Sequence, residues 1–227
     1  LYISCGNLPV SMDATCSGLQ VLSILMRDEH TARKVNVLPS ELPQDIYSSV
    51  ASKVKEEVER QARDGSQEAN RWLRFGITRK IVKRNVMTYV YSLKPYGARQ
   101  QIFDEYKSII EFDPDKKVLA DDGFSDCRWL AKIVWEKMEQ EIDLEAQLMN
   151  WFQDCSKLFA KANLKMKWTT PMGFPVEMDY RYDVPFRVKT AIAGSLVYTT
   201  YRREINKKDA RRYSSSCSPN IVHSLDG

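Results

Sequence analysis

The period of the apolar residues changes once along this chain, and that change decides its fold class. From Trp129 to Ala162 apolar side chains recur at helical spacing, with a break expected at 142–145 that divides the stretch into two helices. From Lys165 the period drops to two: Met166 and Trp168, a turn at Pro171-Met172-Gly173, then Phe174, Val176, Met178 and Tyr180. A second alternating pair, Phe186 to Ile192 and Leu196 to Tyr201, flanks Gly194-Ser195 and reads as an exposed β-hairpin. The chain is therefore expected to be mixed α/β and mainly helical, with antiparallel strands confined to its last third.

Upstream, the spacing predicts a helix from Ser17 to Asp28 and another from Pro43 to Arg63, with Glu56, Glu57 and Arg60 on its exposed side. Lys53 on that helix reads as a plain surface lysine. Asp64-Gly65-Ser66-Gln67 breaks the pattern, Pro95 and Gly97 mark a turn, and Arg99 to Ile110 resumes helical spacing. Glu111 to Asp126, rich in acids and holding Pro114 and Gly123, reads as an exposed acidic loop or an insertion. Trp135, Met138, Leu148, Trp151 and Leu158 are expected to be core residues and not a ligand-binding aromatic box.

The stretch Ile77 to Ser92, I-T-R-K-I-V-K-R-N-V-M-T-Y-V-Y-S, carries the chemistry. On a helix it aligns Arg79, Lys83, Met87 and Tyr91 four residues apart, with Val82, Val86 and Val90 as a neighbouring apolar stripe and Thr78 at the N-cap position. From Ala69 to Phe103 the sequence has Arg71, Arg74, Arg79, Lys80, Lys83, Arg84, Lys94 and Arg99 and no Asp or Glu. Such one-sided charge points to an anionic ligand, phosphate above all. A second basic cluster, Arg202, Arg203, Lys207, Lys208, Arg211 and Arg212, is as consistent with a solvated face as with a binding one.

Near the start, Leu8-Pro9-Val10-Ser11-Met12-Asp13 leads apolar and small residues to an acid at the end of a strand, followed by a small-residue turn and the helical pattern Leu19, Leu22, Leu25, Met26. That placement suits a divalent cation at the mouth of a sheet, although an Asp closing a strand is more often just a turn or helix-cap residue.

Composition excludes more than it selects. At 227 residues and 43% hydrophobic the chain can bury a core, and its net charge of +4 places the case for nucleic acid on local patterning alone. The 5 cysteines are scattered with no C-x-x-C pair, which argues for reduced thiols in an intracellular protein and against a disulfide scaffold or zinc site. His30 and His223 are too few for a histidine metal cage or a serine-type triad. The glycine-rich phosphate loop and the dinucleotide fingerprint are absent, as are a bilayer-spanning apolar run and a signal peptide. The first residue is Leu, so a piece of a longer protein is expected.

Taken together, D-A-T-C-S-G-L-Q from Asp13, the Arg79-x3-Lys83-x7-Tyr91 run and the terminal P-N-I-V-H-S-L-D-G resemble the bacteriophage and mitochondrial single-subunit RNA polymerases. Asn36 to Tyr47, Tyr96 to Gln101, Met149 to Phe152 and Trp168 to Val176 are similar to family segments as well, so the resemblance covers nearly the whole chain. It implies a right-hand polymerase fold: 1–41 a palm segment with the first metal aspartate, 42–222 the fingers with a promoter-reading hairpin at 181–205, and 223–227 a return to the palm, the second metal motif being absent. The implied activity is DNA-dependent RNA synthesis by two-metal nucleotidyl transfer. Its partners would be a DNA template and promoter, nascent RNA and NTPs, with no membrane, in a monomeric enzyme that transcription factors could assist. The expected setting is the cytoplasm of a phage-infected host or an organelle matrix.

Residue by residue, the resemblance makes Asp13 and the carbonyl of Ala14 ligands of Mg²⁺, Ala14 standing where Gly is usual. Arg79 and Lys83 become the triphosphate clamp, Tyr91 the sugar-selecting aromatic, and Met87 a neighbour of the template base. Tyr47 and His223 fall beside the nascent base pair. Arg84 is a nucleic-acid contact, and Arg187 and Lys189 are readers of promoter bases. Ser92 stands where the family usually has Gly. Gly18 occupies a place where related DNA polymerases carry an acid that crowds the sugar 2′ position, so here a 2′-hydroxyl has room. Two alternatives stay open: a DNA-synthesising relative, and a non-catalytic nucleic-acid-binding fragment. The chain by itself is expected to bind nucleic acid without making RNA.

Overall fold

A computed structural model describes residues 15–226, and side-chain caps fix where several of its helices begin. The chain runs through α1 (Ser17–Met26), α2 (Glu29–Lys34), α3 (Ile46–Arg63), α4 (Gln67–Phe75), α5 (Arg79–Tyr89) and α6 (Pro95–Phe112). After a short 3-10 turn at Pro114–Lys116 come α7 (Phe124–Glu141) and α8 (Asp143–Lys161), two hairpins, and a last helix, α9 (Ala210–Asp226). Asp28, Asp45 and Ser66 open α2, α3 and α4 by accepting from the backbone N–H of His30, Tyr47 and Ala69. The capping carboxylate of Asp45, and not the proline at 43, therefore sets where α3 begins. Thr78 does precede α5, but its hydroxyl makes no capping bond.

The first hairpin pairs β1 (Met166–Thr169) with β2 (Pro175–Met178) about the expected turn. The second pairs β3 (Arg181–Ile192) with β4 (Ser195–Lys208) and is longer than its alternation alone foretold. Ala193 and Gly194 both lie in the left-handed region, at φ 47 and φ 79, the conformation that matches a two-residue turn to the twist of its strands. From Val184 to Glu204 both strands are exposed on both faces. Among the described residues the fold is thus mainly helical with two small antiparallel sheets.

One continuous core joins α3 to α7 around Trp72, Tyr47 and Tyr106, and it takes in Leu19 and Leu22 of α1 and Val222 of α9. A second cluster, Ala160, Met178, Tyr213 and Cys217, seats α9 against α8 and the β1–β2 hairpin. The Tyr213 hydroxyl bonds there to the carbonyls of Leu164 and Met178. Among the described residues no helix is long and apolar enough to cross a membrane, and Cys16, Cys127, Cys155 and Cys217 are free thiols.

Four expectations from the sequence need correction. Glu111 to Asp126 is not simply an exposed loop, because its first residues extend α6 and Asp126 is buried in α7. The carboxylate of Asp126 takes both Arg71 Nε and Nη2 at 2.7 Å and the Ala120 N–H at 2.9 Å. Arg71 thereby leaves the ligand-facing cations and becomes a structural partner. Trp151 and Leu158 are 60% and 64% exposed, since the side of α8 that packs inward carries Ala146, Met149, Ser156 and Ala160, whose small members let α9 come close. Lys53 is not a bystander either: with Lys34 it pairs with the fully buried carboxylate of Glu141.

Candidate functional site

Burial of Ile81, Val82 and Val86 orients α5 so that Arg79, Lys83, Arg84 and Met87 face outward. Lys83 is exposed, and among the described residues no carboxylate lies within ion-pair distance of it. Arg79, Lys80 and Arg84, by contrast, face Asp45, Glu105 and Asp104 at 2.6, 2.8 and 4.0 Å. The acid-free run of sequence is therefore partly answered by acids brought from α3 and α6.

Tyr91 follows the helix instead of ending it. The Ser92 N–H reaches the Tyr89 carbonyl at 3.0 Å and the Leu93 N–H reaches that of Thr88 at 3.2 Å, closing α5 in the manner of a Schellman motif. Ser92 holds the left-handed conformation this needs, at φ 64, where glycine would sit at lower cost. The closure fixes Val90 and Tyr91, and the Ser218 hydroxyl on α9 donates to the Val90 carbonyl at 3.0 Å.

Between the start of α1, the end of α5 and α9 lies a cavity of about 240 Å³, bordered by Cys16, Gly18, Tyr47, Met87, Tyr91 and His223. Five residues singled out in the sequence, Gly18, Tyr47, Met87, Tyr91 and His223, thus meet at one place although they come from four distant segments. The rings of Tyr91 and His223 stack with centroids 5.0 Å apart. A Cβ at Gly18 would stand 2.6 Å from Val90 Cγ2 and 3.3 Å from the Tyr91 hydroxyl, so the first turn of α1 can lie against the end of α5 only because residue 18 has no side chain.

Tyr47, 2% exposed, forms the floor at the start of α3. Burial, more than any neighbour, pushes its phenol above the ordinary range, so it stays neutral. The Arg79 guanidinium lies 4.9 Å above its ring centre and donates from Nε to Asp45 Oδ2 at 2.6 Å. Burial acts to raise the Asp45 carboxyl, but hydrogen bonds from Ser48 and Arg79 outweigh it and hold the pKa below the usual value. Asp45, Cys16 and Ser218 were not singled out as site residues in the sequence. Only Asp45 carried a signal, as an acid directly before an apolar-periodic run.

Arg187 and Lys189 do not border this cavity. They stand on one face of the β3–β4 hairpin, directly opposite Thr200 and Tyr198, and are exposed. Asp13 and Ala14 lie outside the described residues, as does the strand read ahead of them. Among the described residues no group of three or more His, Cys, Asp or Glu could hold a metal ion. Asp226, at the end of α9, accepts a hydrogen bond at 2.9 Å from Ser17, which brings one more carboxylate to the turn that follows Asp13 in sequence.

Residues 2–227 match the family of DNA-dependent RNA polymerases. The chain is 32% identical over 97% of its length to T7 RNA polymerase of Escherichia phage T7, covering 29% of that protein. It is 34% identical over 99% of its length to DNA-directed RNA polymerase 2A of Nicotiana tabacum, covering 66% of that one. To the mitochondrial DNA-directed RNA polymerase 1 of Arabidopsis thaliana it is 33% identical over 97% of its length, covering 22%. The chain thus spans less than a third of the phage relative and about two thirds of one tobacco relative.

Proposed function

Because the chain belongs to the family of DNA-dependent RNA polymerases, the single-subunit polymerases of phages and organelles, we propose that it serves template-directed RNA synthesis and carries the nucleotide-selecting part of the active site. The observation that supports this best is the cavity at which Gly18, Tyr47, Met87, Tyr91 and His223 converge, with Arg79 of the basic helix α5 over the Tyr47 ring. An aromatic stack, a glycine-cleared wall and two cations a helical turn apart are what a nucleoside triphosphate requires: a surface for the base pair, room for the 2′-hydroxyl and donors for the phosphates.

In this reading Arg79 and Lys83 bind the triphosphate and take up charge on the departing pyrophosphate. Tyr91 closes on the new base pair, its hydroxyl sensing the ribose, with Met87 toward the template base. Tyr47 and His223 flank the growing end, and Arg84 contacts nucleic acid. The RNA 3′-hydroxyl attacks the α-phosphorus in line with the leaving pyrophosphate. Mg²⁺ would supply Lewis-acid stabilisation of the attacking and leaving oxygens, with Asp13 and the Ala14 carbonyl as ligands. The described residues alone do not form that site.

The segments 1–41 and 223–227 would belong to the palm and 42–222 to the fingers. The hairpin within it would read promoter bases through Arg187 and Lys189. Both strands of that hairpin are exposed over most of their length, as a groove-entering element must be. The protein would act as a monomer on DNA, RNA and NTPs, and the phage and mitochondrial relatives suggest an infected cell or an organelle as the setting. The test is RNA synthesis on a primed DNA template by the native protein with NTPs and Mg²⁺. Asp13→Asn should abolish it, and synthesis undiminished by that change would overturn the proposal.

A further inference from the structure

Of the two cations four residues apart on α5, Arg79 and Lys83, Arg79 is already held before any ligand arrives. Its Nε donates to Asp45 Oδ2 at 2.6 Å, and its Cζ lies over the Tyr47 ring, 4.9 Å from the ring centre. Asp45 is itself fixed twice more: Oδ1 accepts from the Tyr47 N–H at 3.1 Å and Oδ2 from the Ser48 hydroxyl at 2.6 Å. A carboxylate anchored at the start of α3 thus grips only the inner edge of the guanidinium. The two terminal nitrogens are left for something else, and the helix N-terminus under Asp45 offsets its negative charge.

We infer that Asp45 is a positioning residue for nucleotide binding, which orients the Arg79 fork toward the triphosphate through an ion pair that persists when the nucleotide is bound. This rests on the reading of Arg79 as a triphosphate ligand. The physical case is entropic and directional. A free arginine side chain loses rotamer freedom when it binds phosphate, whereas one already held at Nε and stacked on an aromatic face has lost it beforehand. The opposite effect, Asp45 competing with phosphate for the same arginine, would require the bond at Nε to break. Phosphate can instead be bound bidentately by the terminal nitrogens that Asp45 leaves open.

The experiment separates orientation from competition and from capping. Asp45→Ser keeps an N-cap oxygen for α3 but is too short to reach Arg79, and Asp45→Asn keeps both the cap and an acceptor while losing the charge. Affinities of the full chain for ATP and for inorganic tripolyphosphate are measured alongside the thermal midpoint. Asp45→Ser should weaken both ligands by about tenfold, the scale of one charge-assisted contact, with Asp45→Asn between it and the parent and the midpoints alike. In an Arg79→Ala background Asp45→Ser should change nothing further. If Arg79→Ala weakens both ligands but Asp45→Ser does not, or Asp45→Ser tightens them, the positioning role is overturned while the triphosphate reading stands. If Arg79→Ala itself leaves tripolyphosphate affinity unchanged, the reading beneath it fails.

Discussion

Tyr91 and His223 lie ring upon ring, their planes 8° from parallel, so the aromatic at the end of α5 is held from behind by the last helix of the described chain. The stack fixes the ring of Tyr91 and leaves its hydroxyl pointing across the cavity toward Gly18. Packing thereby falls to the ring, and under the proposed function sugar sensing falls to the hydroxyl.

Tyr91→Phe should keep the stack and therefore most of the polymerising activity, while relaxing rejection of deoxyribonucleotides, because only the hydroxyl is lost. The measurement is incorporation efficiency for matched ribo- and deoxyribonucleotides in the native protein. Unchanged discrimination would remove Tyr91 from the selecting role.

Gly18→Ala places a methyl group 2.6 Å from Val90 Cγ2 and 3.3 Å from the Tyr91 hydroxyl. Overpacking of this kind costs about 1–3 kcal/mol, and the strain falls on the residues that form the cavity wall. The variant should melt lower and discriminate sugars differently from the parent. A melting point and a discrimination ratio both unchanged would mean that α1 does not press on α5 as described.

Much of this site was legible in the sequence because helical spacing puts Arg79, Lys83 and Met87 on one stripe and Val82 and Val86 on the stripe beside it, and burial honours that division. The β-hairpins were equally plain from period-two alternation and glycine turns. What the sequence could not give were the pairings across long separations. Asp126 reads as part of an acidic run until Arg71 claims it, and Lys53 reads as surface until Glu141 is seen beneath it. Local periodicity carries no information on which distant acid meets which base. It also misplaced Trp151 and Leu158, since an amphipathic pattern marks two faces of α8 without saying which one α9 covers.

Lys83→Ala should cost about 2–4 kcal/mol of transition-state stabilisation, the scale of removing one preorganised donor from a developing anion, with little effect on folding because Lys83 is exposed. Lys53→Ala should behave in the reverse way. It leaves the buried Glu141 with one lysine fewer and costs about 1–3 kcal/mol of stability with catalysis spared in the folded fraction. Single-turnover incorporation and thermal melting of both variants check the contrast, and equal rates would remove Lys83 from the clamp.

Arg187→Ala or Lys189→Ala, on the exposed hairpin face opposite Thr200 and Tyr198, should change which promoter is used and leave elongation on a preassembled primer and template intact. Loss of a base contact appears as about 1–3 kcal/mol at one base pair. Initiation assays on promoters varied one base pair at a time resolve it. A uniform loss on every sequence would make these residues phosphate contacts instead.

Stability should depend on pH through two buried glutamates of opposite slope. Burial above all pushes the Glu145 carboxyl up to about 7; its Oε2 accepts from the Thr31 hydroxyl at 3.3 Å, Oε1 has no partner among the described residues, and Asp28 adds repulsion. A carboxyl raised in the folded state contributes fully below the ordinary carboxylate value of about 4.3, and that contribution is lost as pH rises through about 7. Glu141 is the reverse case: burial opposes its ionisation, but Lys34, Lys53 and Ser49 outweigh it and lower its pKa, so its contribution is present at neutral pH and lost on acidification. Glu145→Gln should therefore match the parent near pH 4.5 and exceed its melting temperature at pH 8. Glu141→Gln should fall below the parent at pH 8 and approach it in acid. Melting temperatures of the three proteins across that range read both slopes at once, and a Glu145→Gln curve parallel to the parent's would show that Glu145 ionises without penalty in the fold.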